Sequence, residues 1–89
     1  MMWFVYFVMC ADNTLYCGAT NNVQKRIDKH NSGKGAKYTS RRLPVRLSYV
    51  EACACKSDAL KLEYRLKQLS RKQKDGLINE YNYREKRGS

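Results

Sequence analysis

What this chain lacks narrows its reading first. None of its apolar runs approaches the roughly 18 residues that a membrane span needs. The apolar stretch near its start has no basic leader and no convincing cleavage site after Cys10. It therefore reads as structure rather than as a signal peptide, and the chain as cytoplasmic. There is no internal repeat, linker or low-complexity segment, and 89 residues leave room for one domain with one modest core. Cysteine spacing of the zinc-knuckle or redox kind is missing too. Cys10, Cys17, Cys53 and Cys55 all fall in apolar, strand-like segments. Cys53-x-Cys55 has the spacing of neither a zinc knuckle nor a redox pair, so four reduced, buried thiols are expected. Carboxylates are scarce: eight Asp and Glu stand against eighteen Lys and Arg, a formal net charge of +10. That imbalance suits a polyanionic partner, nucleic acid before an anionic membrane surface.

What is there begins with WFVYFVMC, eight apolar or aromatic residues from Trp3 to Cys10. A continuous run of this kind, rich in β-branched and aromatic residues, predicts a strand covered on both faces. Ala11-Asp12-Asn13-Thr14 is turn chemistry, and Leu15-Tyr16-Cys17-Gly18 resumes as the second arm of a hairpin. Next, Asn21 or Asn22 can cap a helix that Ser32-Gly33 stops. On that helix Val23, Arg26, Ile27 and His30 share one face at the i, i+3, i+4, i+7 spacing. Half of the inward face is thus Arg and His, which is costly unless something pairs with them. Alternatively, the two flank a short core face and snorkel outward.

Gly33 to Arg42, GKGAKYTSRR, shows no periodicity and reads as a mobile loop. Lys34, Lys37, Tyr38, Arg41 and Arg42 give it one-signed charge and an exposed aromatic, the ingredients of phosphate-backbone contact. After Pro44, Val45, Leu47 and Tyr49 alternate with Arg46 and Ser48 as a third strand with one better-buried face. Ser57 then caps a second helix whose inward stripe is Ala59, Leu62, Leu66 and Leu69. Glu63 interrupts that stripe and needs a cation, either an inward Arg or a bound metal. Ser70-Arg71-Lys72-Gln73 is a capping box opening a third helix through about Tyr81, with Arg71, Lys72 and Lys74 as a second basic cluster. Residues 1–80 make the domain, and 81–89 a charged, frayed tail.

These pieces together resemble the GIY-YIG nuclease superfamily in its short, single-domain bacterial form. Val5-Tyr6-Phe7 corresponds to the first signature and Tyr16-Cys17-Gly18 to the second, with Gly18 the structural glycine. Arg26 and His30 match the family's helix pair, and Glu63 its metal-binding carboxylate. The likeness covers residues 2–78. It departs at Val5, in place of Gly, at Cys17, in place of Ile, and at Ala19, where some repair nucleases carry Lys. Where longer relatives carry an Asn after the Glu, this chain has Asp75. The resemblance implies an α+β fold, a small three-stranded antiparallel sheet flanked by helices, and metal-dependent cleavage of a phosphodiester. Glu63 would hold one Mg²⁺ or Mn²⁺, and Tyr16 or Tyr6 would deprotonate or position the attacking water. Arg26 would stabilise the phosphate, and His30 would support proton transfer or orientation.

The leading reading is therefore a structure-selective or weakly specific DNA endonuclease, or a repair-associated nuclease, with a protein partner supplying any targeting. A second is a non-catalytic basic module that keeps the nuclease fold and binds nucleic acid, DNA before RNA, through Lys34 to Arg42 and Arg71 to Lys74. A third is a basic interaction domain with no nucleic-acid role. The hairpin carries a geometric expectation of its own. Tyr6 and Tyr16 share a sheet face only if the loop between the arms has an odd residue count or a bulge intervenes.

Overall fold

A computed structural model describes residues 2–87 of the chain, with β1 (Trp3–Met9) at its centre. β2 (Leu15–Thr20) and β3 (Arg46–Cys53) flank it, both antiparallel, in the order β2-β1-β3. The apolar run has no solvent face because helices cover both sides of the sheet. On one side Val5, Phe7, Cys17 and Tyr49 pack against α3 (Lys56–Lys67) and α4 (Arg71–Arg87) through Ala59, Leu66 and Ile78. On the other, Tyr6, Val8, Cys10 and Val45 pack with Tyr16 and with Ile27 of α1 (Val23–Asn31). Val5, Phe7 and Val8 are wholly buried, each contributing roughly 1.5–3 kcal/mol. The expected sheet and its helical flanks are both present.

The hairpin loop has the odd count. Cys10 N–H donates to Thr14 O at 2.9 Å, leaving Ala11, Asp12 and Asn13 between the arms, and Asn13 takes a left-handed φ of 67°. A turn closed by one left-handed residue is a common three-residue connection, and Asn tolerates that conformation. The register follows: Tyr6 lies opposite Gly18 and Val8 opposite Tyr16, so the two tyrosines share a face.

α1 is capped by Asn22, whose Oδ1 accepts from Lys25 N–H at 3.0 Å, and its inward residues are those expected. At its far end the Asn31 amide donates to Val45 O and accepts from Val45 N–H, tying the helix to the start of β3. The inward stripe of α3 is also as expected, with Ala59 and Leu66 buried and Leu62 and Leu69 half-buried. At α4, Ser70 and Gln73 form the reciprocal capping box, at 2.9 and 3.2 Å.

Five local expectations need correction. First, Val45, Leu47 and Tyr49 do not share a face. The register slips beside Ser48, so Leu47 pairs with Val8 and Tyr49 with Phe7, and Leu47 is exposed. One extra residue in a strand reverses every side chain beyond it. Second, α3 starts two residues earlier than a Ser57 cap implies. Cys55 is the N-cap, with no side-chain hydrogen bond, and Asp58 still lies in the first turn. Third, the thiols are not all buried. Cys10 and Cys17 are, while Cys53 is half-buried and Cys55 exposed, because β3 ends before Cys55; all four are free. Fourth, α4 runs to Arg87 rather than stopping near Tyr81. No Gly or Pro breaks the chain between Leu77 and Arg87, and the Tyr81 ring anchors the helix edge-on against Tyr49 at 5.7 Å. Of the expected frayed tail, residues 88–89 lie outside the described ones. Fifth, the basic loop is not wholly irregular: Lys37–Ser40 forms a one-turn helix, α2.

Gly76 lies inside α4, where glycine is unfavourable, and a Cβ added there meets nothing within 4 Å. Gly76→Ala is therefore expected to raise stability by roughly 0.5–1 kcal/mol, read as a higher urea midpoint with unchanged slope.

Candidate active site

β2 is an edge strand, and its glycine shapes the site. Gly18 lies opposite Tyr6, and the Tyr6 ring leans across it: a Cβ on Gly18 would lie 2.5 Å from Tyr6 Oη and 2.7 Å from Cζ. No side chain fits beneath that phenol, which gives a steric reason for glycine here.

Tyr6 is 2% exposed, and its hydroxyl lies 2.9 Å from Nε2 of His30, itself 1% exposed. His30 Nδ1 lies 2.9 Å from Thr39 Oγ1, and Thr39 Oγ1 donates at 3.0 Å to Ala36 O. That order assigns the protons. With its hydrogen committed to Ala36 O, the Thr39 oxygen accepts from His30 Nδ1–H, and Nε2 is left as an acceptor for the Tyr6 O–H. Burial, and then the Arg26 charge, hold the His30 pKa below its ordinary 6.5, which agrees with a neutral ring. Gly35 permits this packing, since a Cβ there would lie 2.5 Å from His30 Nδ1 and 2.8 Å from its Cα.

Tyr16 is half-buried and sits edge-on to the same imidazole, with ring centroids 5.3 Å apart. Its outer side stacks on Tyr38 at 6.0 Å and 29°, and the Arg42 guanidinium lies 4.1 Å from the centre of the Tyr38 ring. A ladder of His30, Tyr16, Tyr38 and Arg42 thus leads from the core to the surface.

Arg26 and Glu63 reach this cluster through their fields. Burial raises the Tyr6 pKa most, Tyr16 next; Arg26 opposes the rise, and Cys17 and Glu63 add to it. Tyr6 is consequently a neutral hydroxyl across the working pH range, which fits it for holding a proton in place and not for the phenolate role. Glu63 arrives from the opposite sheet face. α3 packs on β1 and β2, and because β2 has no further neighbour, helices on both faces can present groups around its edge. Burial and then Glu63 push the Cys17 thiol up to about 11, so Cys17 remains protonated beside the carboxylate. Glu63 is only 18% exposed in its side chain, and its Oε2 lies 3.1 Å from Lys67 Nζ, one helical turn on. Burial lowers the Lys67 pKa, but the Glu63 hydrogen bond and charge outweigh it and leave a net rise.

The basic residues divide into engaged and displayed. Arg42 donates to Asp12 Oδ2 at 3.0 Å and to Tyr38 O at 2.7 Å, and Arg71 donates to Asp75 at 2.8 Å and to Asn13 O at 2.7 Å. Both guanidiniums therefore brace the hairpin tip, one from each sheet face. Lys34, Lys37, Arg41 and Lys72 are exposed, Lys74 half-buried, and Tyr38 remains 41% exposed despite its stacking. Sequence reasoning missed Thr39, Gly35, Asp12 and Lys67. Only Lys67 left a readable signal there, four residues after Glu63 on one helix.

The hairpin, its glycine and the flanking helices are the parts that carry the resemblance to the GIY-YIG superfamily. The chain belongs to that family: residues 2–82 match the model described as the GIY-YIG catalytic domain. Within it, the chain is similar to the UPF0213 proteins, short single-domain members. It is 52% identical over 77 residues to one from Bacillus velezensis, covering 86% of this chain and 78% of the relative. Another from Halobacterium salinarum is 51% identical over 77 residues, covering 86% of this chain and 100% of the relative. Two solution NMR structures share the fold. The UPF0213 protein from Bacillus halodurans gives a TM-score of 0.57 at 46% identity, covering 89% of this chain and 84% of that one. A protein from E. faecalis gives 0.63 at 35% identity, covering 93% and 88%. Among the described residues, no helix is long and apolar enough to cross a membrane.

Proposed function

We propose that this protein is a divalent-metal-dependent endonuclease that hydrolyses phosphodiester bonds in DNA, with a preference for branched or otherwise irregular structure, in the service of repair. The observation that carries the reading is the buried chain Tyr6–His30–Thr39 beneath the half-exposed Tyr16. A core that needed only volume would take Phe at Tyr6 and Leu at His30; instead three polar groups are buried, each hydrogen-bonded, against the edge where Glu63 and Arg26 act.

The residues fit a hard cation. No group of three His, Cys, Asp or Glu side chains gathers among the described residues, so Glu63 would hold the ion with few protein ligands beside it. Mg²⁺ is commonly held in that way, by one or two carboxylates, with water and substrate phosphate oxygens completing the shell. Lys67 Nζ already places a positive charge on that carboxylate, which supports a cation at this wall of the site. When bound, the metal supplies Lewis-acid stabilisation of the phosphate's non-bridging oxygens.

The protein's own groups do the rest. Tyr16, the more exposed phenol, orients or deprotonates the attacking water. Tyr6 donates a hydrogen bond to His30, and its oxygen lone pairs are left to accept from that water. Thr39 holds His30 in the tautomer that makes this possible. Arg26 stabilises charge developing on the phosphate. Lys34, Lys37, Tyr38 and Arg41 on one flank, with Lys72 and Lys74 on the other, carry the flanking backbone, and Tyr38 offers a face for an unpaired base. Arg42 and Arg71 act as braces for those flanks.

The test is incubation of the purified chain with plasmid, branched, duplex and single-stranded DNA in Mg²⁺ or Mn²⁺, with and without chelator. Cleavage that the chelator abolishes, strongest on branched DNA, supports the reading. Absence of cleavage on every substrate, with binding that still weakens steeply with salt, would instead favour the non-catalytic nucleic-acid-binding module.

A further inference from the structure

Glu63 is not waiting bare for a metal. Lys67 Nζ lies 3.1 Å from its Oε2, where the ammonium covers an oxygen that a divalent cation would approach to roughly 2.0–2.6 Å. The pair forms by helix geometry, at the i, i+4 spacing on α3. Its two members differ in freedom. The Glu63 side chain is 18% exposed and held in a partly buried wall, whereas the Lys67 side chain is 53% exposed on a flexible four-carbon stem. Lys67 also lies within electrostatic reach of Tyr16, on the edge that the proposed substrate would use.

We propose that Lys67 is the resident counter-cation of Glu63, that a divalent ion binds only by displacing it, and that the freed ammonium then turns to a phosphate oxygen of the substrate. An ammonium and a divalent cation on one carboxylate repel each other, so the two states exclude one another. Displacement leaves the ammonium without a partner unless a polyanion is present, so metal entry and substrate entry are coupled. Lys67 acts here as a positioning residue through Glu63. The inference rests on the metal-site reading of Glu63, and its test separates the two.

The full chain is titrated with Mn²⁺ alone at constant neutral pH, without nucleic acid, and free Mn²⁺ is read by its paramagnetic resonance signal. Lys67→Met, which keeps the stem and removes the charge, is expected to bind Mn²⁺ about fivefold more tightly than the native chain. Lys67→Arg keeps a cation on the carboxylate and is expected to stay within about twofold of the native chain. Glu63→Gln is expected to weaken binding about tenfold or more. If Lys67→Met binds no more tightly while Glu63→Gln still weakens binding, displacement is overturned and the metal site stands. If Glu63→Gln binds as the native chain does, both fall. Circular dichroism confirms that each variant is folded, and Lys67→Gln carries the same expectation should Lys67→Met not be.

Discussion

Glu63→Gln is expected to lower metal-supported DNA cleavage by about 100-fold or more, equivalent to about 2.7 kcal/mol of transition-state stabilisation, while leaving the fold intact. Gln matches Glu in shape and removes only the charge. The structural cost is small because the pair that it loses, Glu63 with Lys67, has one exposed member and contributes about 1 kcal/mol or less. The catalytic cost is large because no group of three His, Cys, Asp or Glu side chains gathers among the described residues to hold a metal in its place. The measurement is single-turnover cleavage at saturating Mg²⁺, with urea denaturation of the same preparations. A variant that cuts within about threefold of the native rate would sink the assignment of Glu63 as the metal ligand.

His30→Ala is expected to cost about 3–4 kcal/mol of stability, a large share of what a domain of this size has. Two effects add. The truncation opens a cavity at a position that is 1% exposed, and it leaves the buried Tyr6 and Thr39 hydroxyls without a partner. The same residue sets a pH dependence. The folded protein holds His30 below its ordinary pKa of 6.5, because burial and then Arg26 disfavour the imidazolium, so the unfolded chain binds the proton more readily. Its contribution is therefore fully present above about pH 6.5 and is lost as pH falls from there toward the lower, folded value. Urea titrations at about pH 7.5 and 5 should show the native chain losing stability on acidification, and His30→Ala losing less of what remains. Equal losses in both proteins would place the acid sensitivity elsewhere.

Much of this fold was legible without coordinates, and the reason is periodicity. The apolar run of β1, the inward stripes of α1 and α3, the Asn22 cap and the Ser70-Gln73 capping box depend on neighbours at most a few turns away. The oddities in those stripes were legible for the same reason: Arg26, His30 and Glu63 stand where the pattern asks for apolar residues. Reading failed where distant chain segments set the outcome. Nothing local to Ser48 marks the register slip, which arises from how β3 pairs with β1. Likewise nothing in GKGAKYTSRR says that Thr39 will be wholly buried, since its burial follows from the docking of α2 beneath His30, with Gly35 giving way.

The amino-acid sequence by itself determined the class of fold, the basic character and the set of polar residues that a core would not ask for. Whether Tyr6 and Tyr16 meet hung on one residue of loop length, because side chains alternate along a strand; the three-residue loop from Ala11 to Asn13 set them on one face. Their division of labour was a tertiary matter altogether. The two phenols are chemically identical, and only packing buried one on His30 and left the other half-exposed beneath Tyr38. The same holds for Arg42 and Arg71, whose charges were plain but whose partners, Asp12 and the Asn13 carbonyl, the fold alone brought within reach.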